Sequence, residues 1–355
     1  MNHDPLSDLP RAHGEPLGRA LLKAVPEDFR VEELLAFTPE GEGEHIYLQI
    51  EKREANTAWV AAELAKRAGV APMAVSFAGL KDRHAVTRQW FSVQVPGREL
   101  PANLWDGVPG IRVLQQTRHR GKLRRGAIRA NRFELRLRRV EGAALPSAAA
   151  LAARLQQIRQ LGVPNAFGEQ RFGRSGDNVE RARKVFGGLR VRREEYSILL
   201  SAARSEIFNQ ILAERLRRGV WAHPLDGEVW GLDGSHSIFG PAELDEVLRE
   251  RHARHDIHPT GALWGAGDLR SVGTVRAIEQ AVADAHAELC RGLEGAGLAQ
   301  ERRSLRLVPA ELEGGVDTEQ LWLRFALPSG CYATVLLREL VETVEPARGA
   351  TPAAI

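Results

Sequence analysis

The sequence predicts an α+β protein whose strand-built core is interrupted by an inserted helix-rich domain. Three observations carry this. Residues Phe29–Glu33 and His45–Ile50 alternate apolar with polar side chains, the period of half-buried strands. After Pro146 the texture changes to helical periodicity with Gly/Pro/Trp loops. Alternation then returns at Gln320–Leu327 through Leu321, Leu323 and Phe325.

In chain order, residues 1–16 show no periodicity and read as a loose lead-in. Structure starts near Leu17, and Gly41-Glu-Gly43 provides turn material that makes the first two strands an expected pair. Thr57 can cap a helix with Trp59, Val60, Leu64 and Ala68 on one face, and Gly69 is placed to end it. Short strands around Ala74–Phe77 and Gln89–Val95 flank a charged loop, Gly79-Leu-Lys81-Asp82-Arg83-His84. Strands follow near Ile111–Leu114 and Arg132–Val140, the second turning Phe133, Leu135 and Leu137 inward and Arg136 and Arg138 outward. Helices are predicted over Ser147–Leu161, Asn178–Phe186, Ser197–Arg218, Ala242–Arg254 and Thr274–Gly292, with a last one over Ala333–Thr343. No repeat of fixed period is present.

At roughly 100–200 residues per domain, 355 residues make two domains. An apolar fraction of 43% and a charged fraction of 27% exclude wholesale disorder and fibrous repeats. The two cysteines, Cys290 and Cys331, lie far apart, which argues against a disulfide scaffold and suits a reducing compartment, so the cytoplasm is the expected location. The N-terminus lacks a signal-peptide pattern and no apolar run approaches the ~18 residues of a membrane helix. A soluble protein without membrane contact is expected.

The net charge is only +3 (49 − 46). Its distribution is more informative. From Arg112 to Arg139 the chain carries 11 Lys and Arg against one acid, Glu134. Such a run can line a groove that attracts phosphates, or form a solvated strand pair. There is no Gly-x-Gly-x-x-Gly junction, no phosphate loop and no His-Glu-x-x-His, so nucleotide cofactors and zinc hydrolysis lose support. His252, His255 and His258 are spaced by three, but their polar setting without cysteine favours a solvated helix end over a metal site.

In the charged loop, Asp82 sits between Lys81 and Arg83, and two adjacent cations favour an ionised carboxylate available as base or nucleophile. From spacing alone, a salt-bridged surface loop fits equally well. The wider sequence decides. Ser76-Phe-Ala-Gly79-Leu-Lys81-Asp82-Arg83-His84-Ala-Val-Thr87-Arg-Gln89-Trp90 resembles the signature of the TruD family of tRNA pseudouridine synthases. Pro26-Glu-Asp28-Phe29-Arg-Val-Glu-Glu33 with Gly41-Glu-Gly-Glu-His45, then Asn131-Arg-Phe133, resemble further blocks of that family. So do Gly162-Val-Pro-Asn-Ala-Phe-Gly168-Glu-Gln-Arg-Phe-Gly173 and Leu327-Pro-Ser-Gly-Cys-Tyr332-Ala-Thr-Val335, in the family's order across about residues 17–345.

The resemblance implies a pseudouridine-synthase core of mainly antiparallel mixed sheet over 17–156 and 308–345. It also implies an inserted helix-rich α/β TRUD domain over 157–307, with a lead-in at 1–16 and a tail at 346–355. The implied activity is isomerisation of uridine 13 in the tRNA D arm: the N1–C1′ bond breaks and the base rejoins through C5, without cofactor or metal. The implied partner is tRNA; no protein partner is implied, and a monomer is expected. Asp82 is the implied catalytic carboxylate, and Phe29, Asn131, Phe133 and Tyr332 fall on positions that contact the flipped uridine. An extruded base needs an aromatic face and a polar group for its edge. By pattern alone Phe133 is as well placed in the core, and Tyr332 stands where relatives often carry Phe. Lys23, Lys81, Arg83, Arg118, Arg120, Lys122, Arg124 and Arg125 are candidates for holding RNA, although a surface pairing of Lys23 and Glu33 is the readier expectation. The alternatives are a non-catalytic RNA-binding protein and an RNA hydrolase using His84 or His119 in the same basic groove.

Overall fold

A computed structural model describes residues 6, 8–173 and 175–346. The chain runs β1 (Arg19–Leu22), β2 (Phe29–Leu35), β3 (His45–Arg53), α1 (Thr57–Ala68), β4 (Val75–Phe77), β5 (Val86–Gln94), β6 (Ile111–His119), β7 (Ile128–Arg139) and α2 (Ala148–Leu161). It continues through β8 (Val163–Pro164), α3 (Asn178–Phe186), α4 (Arg193–Arg217), β9 (Trp230–Leu232), β10 (Ile238–Phe239), α5 (Glu246–Ala253), β11 (Ile257–Leu263), α6 (Gly273–Ala285) and α7 (Ala287–Gly295). Last come β12 (Glu301–Ser304), β13 (Arg306–Leu307), β14 (Ala310–Val316), β15 (Gln320–Pro328), α8 (Ala333–Arg338) and β16 (Glu342–Val344).

These elements form two compact units. The sheet unit comprises Pro16–Leu155, Ala310–Gly330 and the described residues from Leu340 onwards. The helical unit comprises the described residues up to Glu15, Gln156–Pro309 and Cys331–Glu339.

The sheet unit is a ten-stranded mixed sheet along the path β14-β15-β7-β2-β5-β3-β6, with β1 attached at β7, β16 at β1 and β4 at β5. Only β2–β5 and β1–β16 pair in parallel. Alternation along β7 buries Phe133, Leu135 and Leu137, and the facing Phe325, Leu323 and Leu321 of β15 complete this face. Helix α1 covers the face of β3 and β5 through Val60, Ala61, Leu64, Ala65 and Ala68 against Ile46, Leu48, Ile50, Phe91 and Val93.

Three local expectations need correction. Strands β2 and β3 are not a pair, because β5 lies between them. Alternation reports which face a residue takes, and the backbone edges leave the neighbour open. Helix α1 is capped by Asn56, whose side chain accepts from the Ala58 N–H, with Thr57 already inside the helix. Trp59 consequently leaves the apolar stripe and is half exposed, while Gly69 closes the helix in the left-handed region as expected (φ 62°). The helix expected over Ala333–Thr343 stops at Arg338, and the chain then enters β16, which pairs with β1.

In the helical unit, α4 is the central element. Its Leu199, Ala203, Ile207 and Ile211 pack with Leu289 and Leu293 of α7, while Phe208 and Leu212 join a second cluster. That cluster includes Leu6 and Leu9, so the described part of the lead-in is not loose. Arg338 donates to the carbonyls of Leu6 and Leu9, and Glu339 accepts from the Ala12 and His13 amides. The rest of the lead-in, residues 1–5 and 7, and the tail at 347–355 lie outside the described residues. Of the histidine triplet, His252 in the last turn of α5 and His255 just beyond it sit at a partly exposed helix end, but His258 does not. His258 is 3% exposed on β11, accepts from Arg306 Nε at Nδ1 (3.0 Å) and bonds Asp233 through Nε2 (2.8 Å). The Thr274–Gly292 stretch forms two helices, α6 and α7, which meet at His286.

Candidate active site

The site grows from the loop between β4 and β5. Gln89 Nε2 donates to the Gly79 carbonyl (2.6 Å), and the Lys81 N–H donates to Thr57 Oγ1 (3.2 Å), fixing the loop on β5 and the start of α1. Lys81 turns inward to buried Glu33 (2.7 Å), whose other oxygen accepts from the Trp90 amide (2.8 Å). Arg83 stays exposed. Neither sequence neighbour is therefore the charge partner of Asp82.

That partner is Lys23, which follows β1. Its Nζ lies 2.7 Å from Asp82 Oδ2 and 3.2 Å from Glu345, while Asp82 Oδ1 accepts from the His84 amide (2.9 Å). Burial disfavours the charged carboxylate, but the Lys23 hydrogen bond and charge, with the His84 N–H, outweigh it and hold the Asp82 carboxyl below its ordinary range. Burial likewise opposes the Lys23 ammonium, and Asp82 and Glu345 reverse this to raise its pKa. Lys23 occupies the left-handed region (φ 58°), a strained backbone for a residue with a Cβ. The expectation of a Lys23–Glu33 surface pair is thus replaced by two separate inward pairs, Lys23–Asp82 and Lys81–Glu33. The Asp82 side chain remains 29% exposed.

Lys23 also stands over the Phe29 ring (4.7 Å to its centroid), and Phe29 meets Phe133 edge to face at 6.1 Å. Phe133 is 7% exposed and stacks on Phe325 at 5.1 Å, so its ring belongs substantially to the core. Asn131, two residues before Phe133 on β7, pairs in register with Glu33 and Leu327. Its Oδ1 is buried with no hydrogen-bond partner among the described residues. An unmet buried acceptor costs roughly 1–3 kcal/mol, which a ligand donor would recover. Lys23, Phe29, Asp82, Asn131 and Phe133 therefore belong to one unit and one contiguous region of it. Tyr332 belongs to the helical unit, where its ring packs on Gly168 and beside the cluster of Phe167, Phe172 and Phe208.

The basic run divides. Arg118 donates to the carbonyls of Gly43 (2.8 Å) and Arg98 (2.5 Å), and Arg120 pairs with Glu40 and Glu42. Gly43 is needed here: at φ 118° a Cβ would fall 2.5 Å from the Arg120 nitrogen. Leu123 is buried with Tyr47 and Trp90, its amide donating to Ser92 Oγ (3.0 Å). Lys122, Arg124 and Arg125 flank this anchor, exposed and without an acidic partner among the described residues. His119 stacks on Phe37 at 4.7 Å.

Sequence reasoning missed Lys52, Gln89 and Thr57, which hold the loop. A signal for Lys52 existed. It occupies the fourth inward position of β3 after Ile46, Leu48 and Ile50, and a lysine on an apolar strand face needs a reason.

The mixed, mostly antiparallel sheet with its helices is a fold shared with a crystal structure from Methanosarcina mazei, of a protein proposed to be a tRNA pseudouridine synthase D. The TM-score is 0.70 over 96% of both chains at 19% identity, a likeness of fold alone. Among described residues no helix is long and apolar enough to cross a membrane. The family model tRNA pseudouridine synthase D (TruD) matches residues 13–181 and 181–340. The tRNA pseudouridine synthase D of Xanthomonas campestris pv. campestris is 51% identical over 364 residues, covering 98% of both chains. That of Methylococcus capsulatus is 47% identical over 340 residues, covering 94% of both. The chain belongs to the tRNA pseudouridine synthase D family.

Proposed function

We propose that this protein is an isomerase that converts uridine 13 in the D arm of tRNA to pseudouridine, with Asp82 as the catalytic carboxylate. The observation that carries this reading is the Lys23–Asp82 pair, a carboxylate kept ionised by one buried ammonium yet still open on its own side. Lys23 has a second task, since its stem and charge over Phe29 link the carboxylate to the aromatic wall.

The bond broken sets the chemistry. Asp82 either attacks C1′, displacing uracil at N1, or removes the C2′ proton to give a glycal; both use the ionised form. C5 of the detached base then bonds to C1′, either displacing the Asp82 carboxylate or as the C2′ proton is returned to the glycal, and C5 gives up its own proton while N1 gains one, so no atom is lost. The base must turn without leaving, and the apolar Phe29 and Phe133 rings help exclude the water that would hydrolyse the linkage. Asn131 Oδ1 is the acceptor for a donor on the flipped nucleotide, the uracil N3–H being the one of suitable chemistry. Lys122, Arg124 and Arg125 are the candidates for sequence-independent phosphate contacts, with Arg83 beside the pocket.

Carbodiimide mapping of tRNA incubated with the protein tests this. A single new carbodiimide-stable stop at position 13, in full-length RNA of unchanged mass, is the expected result. Shortened RNA would make the protein a hydrolase, and bound but unmodified RNA a binding protein. Deuterium at C2′ separates the two routes, because only glycal formation breaks that bond.

A further inference from the structure

The Lys52 side chain is fully buried, and its Nζ donates to the carbonyl of Ala55 (2.8 Å) and to the carbonyl of Asp82 itself (3.2 Å). Of the side chains that fasten the loop, Gln89 reaches Gly79 and Thr57 and Glu33 reach Lys81. Lys52 is the one that reaches the peptide of Asp82. Its ammonium faces three charged groups, Asp82 and Lys81 of the loop and Glu33 of β2. Taking an ammonium out of water is costly, and an apolar side chain of similar volume would fill the same space without that cost. A charge kept there at such expense needs a task, and the atoms it touches name one.

We infer that Lys52 is a positioning residue, which ties β3 to the main chain of Asp82 and so sets where the carboxylate stands relative to Lys23 and the substrate ribose. The inference rests on Asp82 as the reacting group. Burial is the largest influence on Lys52 and lowers its pKa to about 8, with Asp82 and Glu33 pulling it up and Lys81 pushing it down. Strand β3 is paired on both edges, with β5 and β6, so it is a rigid anchor for a loop that must place one atom accurately.

The test compares Lys52→Met with Lys52→Gln and Asp82→Asn, measuring kcat and KM on tRNA, folded fraction by circular dichroism, and hydrogen exchange of residues 79–84. Displacement of a reacting group by about 1 Å lowers turnover about 10²-fold. The expected result for Lys52→Met is a kcat loss of that order, KM within a few-fold, a folded protein and faster exchange confined to the loop. Lys52→Gln restores a neutral donor and is expected to recover part of the kcat. If Lys52→Met does not fold, the glutamine variant decides: lowered kcat at steady KM with faster loop exchange supports the role, and wild-type kcat overturns it. Lowered kcat with unchanged loop exchange also overturns it. Retained turnover in Asp82→Asn would instead remove the reading on which the inference rests, so the two failures are distinguishable.

Discussion

Two carboxylate–cation pairs, one in each unit, show what makes such a pair useful. Arg215 and Glu228 in the helical unit meet at 2.5 Å with side chains 1% and 0% exposed, and Arg215 also donates to the carbonyls of Val220 and His223. Burial pushes the Glu228 carboxyl up against the pull of Arg215. Lys23 and Asp82 in the sheet unit meet at 2.7 Å, but Asp82 keeps 29% of its side chain exposed and its carboxyl is held down. The first pair is closed on all sides and can only hold structure. The second engages one Asp82 oxygen with Lys23 and the other with the His84 amide but leaves the side chain partly exposed, which is what the proposed reaction requires.

The largest expected effect breaks the open pair. Asp82→Asn should lower turnover by at least the about 10²–10⁴-fold that a positioned acid–base group supplies, with tRNA affinity within a few-fold in a filter-binding assay. Normal turnover in this variant would erase the distinction between the pairs. Breaking the closed pair should act on stability. Glu228→Ala strands a buried guanidinium and should cost about 3–5 kcal/mol in urea unfolding, with turnover per folded molecule unchanged.

The pH dependence sharpens the contrast. A carboxyl whose folded pKa lies below its unfolded value of about 3.9 contributes stability that is present above that value. This contribution is lost as the pH falls through the lower, folded value. The acid limb of kcat from Asp82 should therefore lie below about pH 4. Activity lost between pH 7 and 5 in a protein still folded by circular dichroism would contradict the pairing with Lys23.

A smaller effect is expected at the aromatic wall. Phe133→Leu keeps apolar volume but removes the ring, and should cost turnover the about 1–3 kcal/mol that base–aromatic stacking supplies. If the melting temperature falls while turnover per folded molecule stays normal, Phe133 serves only as the core partner of Phe325. The smallest effect concerns the basic loop. Neutralising Lys122 and Arg124 should flatten the salt slope of tRNA binding by about 0.9 per duplex contact or about 0.7 per single-strand contact. Neutralising Arg118 and Arg120, which are occupied by Gly43, Arg98, Glu40 and Glu42, should change the slope little. Equal slopes for the two double variants would refute the division of the run.

Much of this protein follows from local sequence. Alternation at Phe133, Leu135 and Leu137, the helical stretch at Asn178–Phe186, the Gly69 cap and the charged loop around Asp82 all depend on neighbours within a few residues. What the tertiary structure decided is partnership. Lys81 and Arg83 adjoin Asp82 in sequence, yet its counter-ion is Lys23, 59 residues away. Likewise β5, which neither of its neighbours announces, separates β2 from β3. Backbone hydrogen-bonding groups are the same in every strand, so alternation can assign a face but not a neighbour. A charge gains most from the opposite charge that shares its buried surroundings, and only the completed sheet places Lys23 beside that carboxylate and Lys52 against the Asp82 main-chain carbonyl.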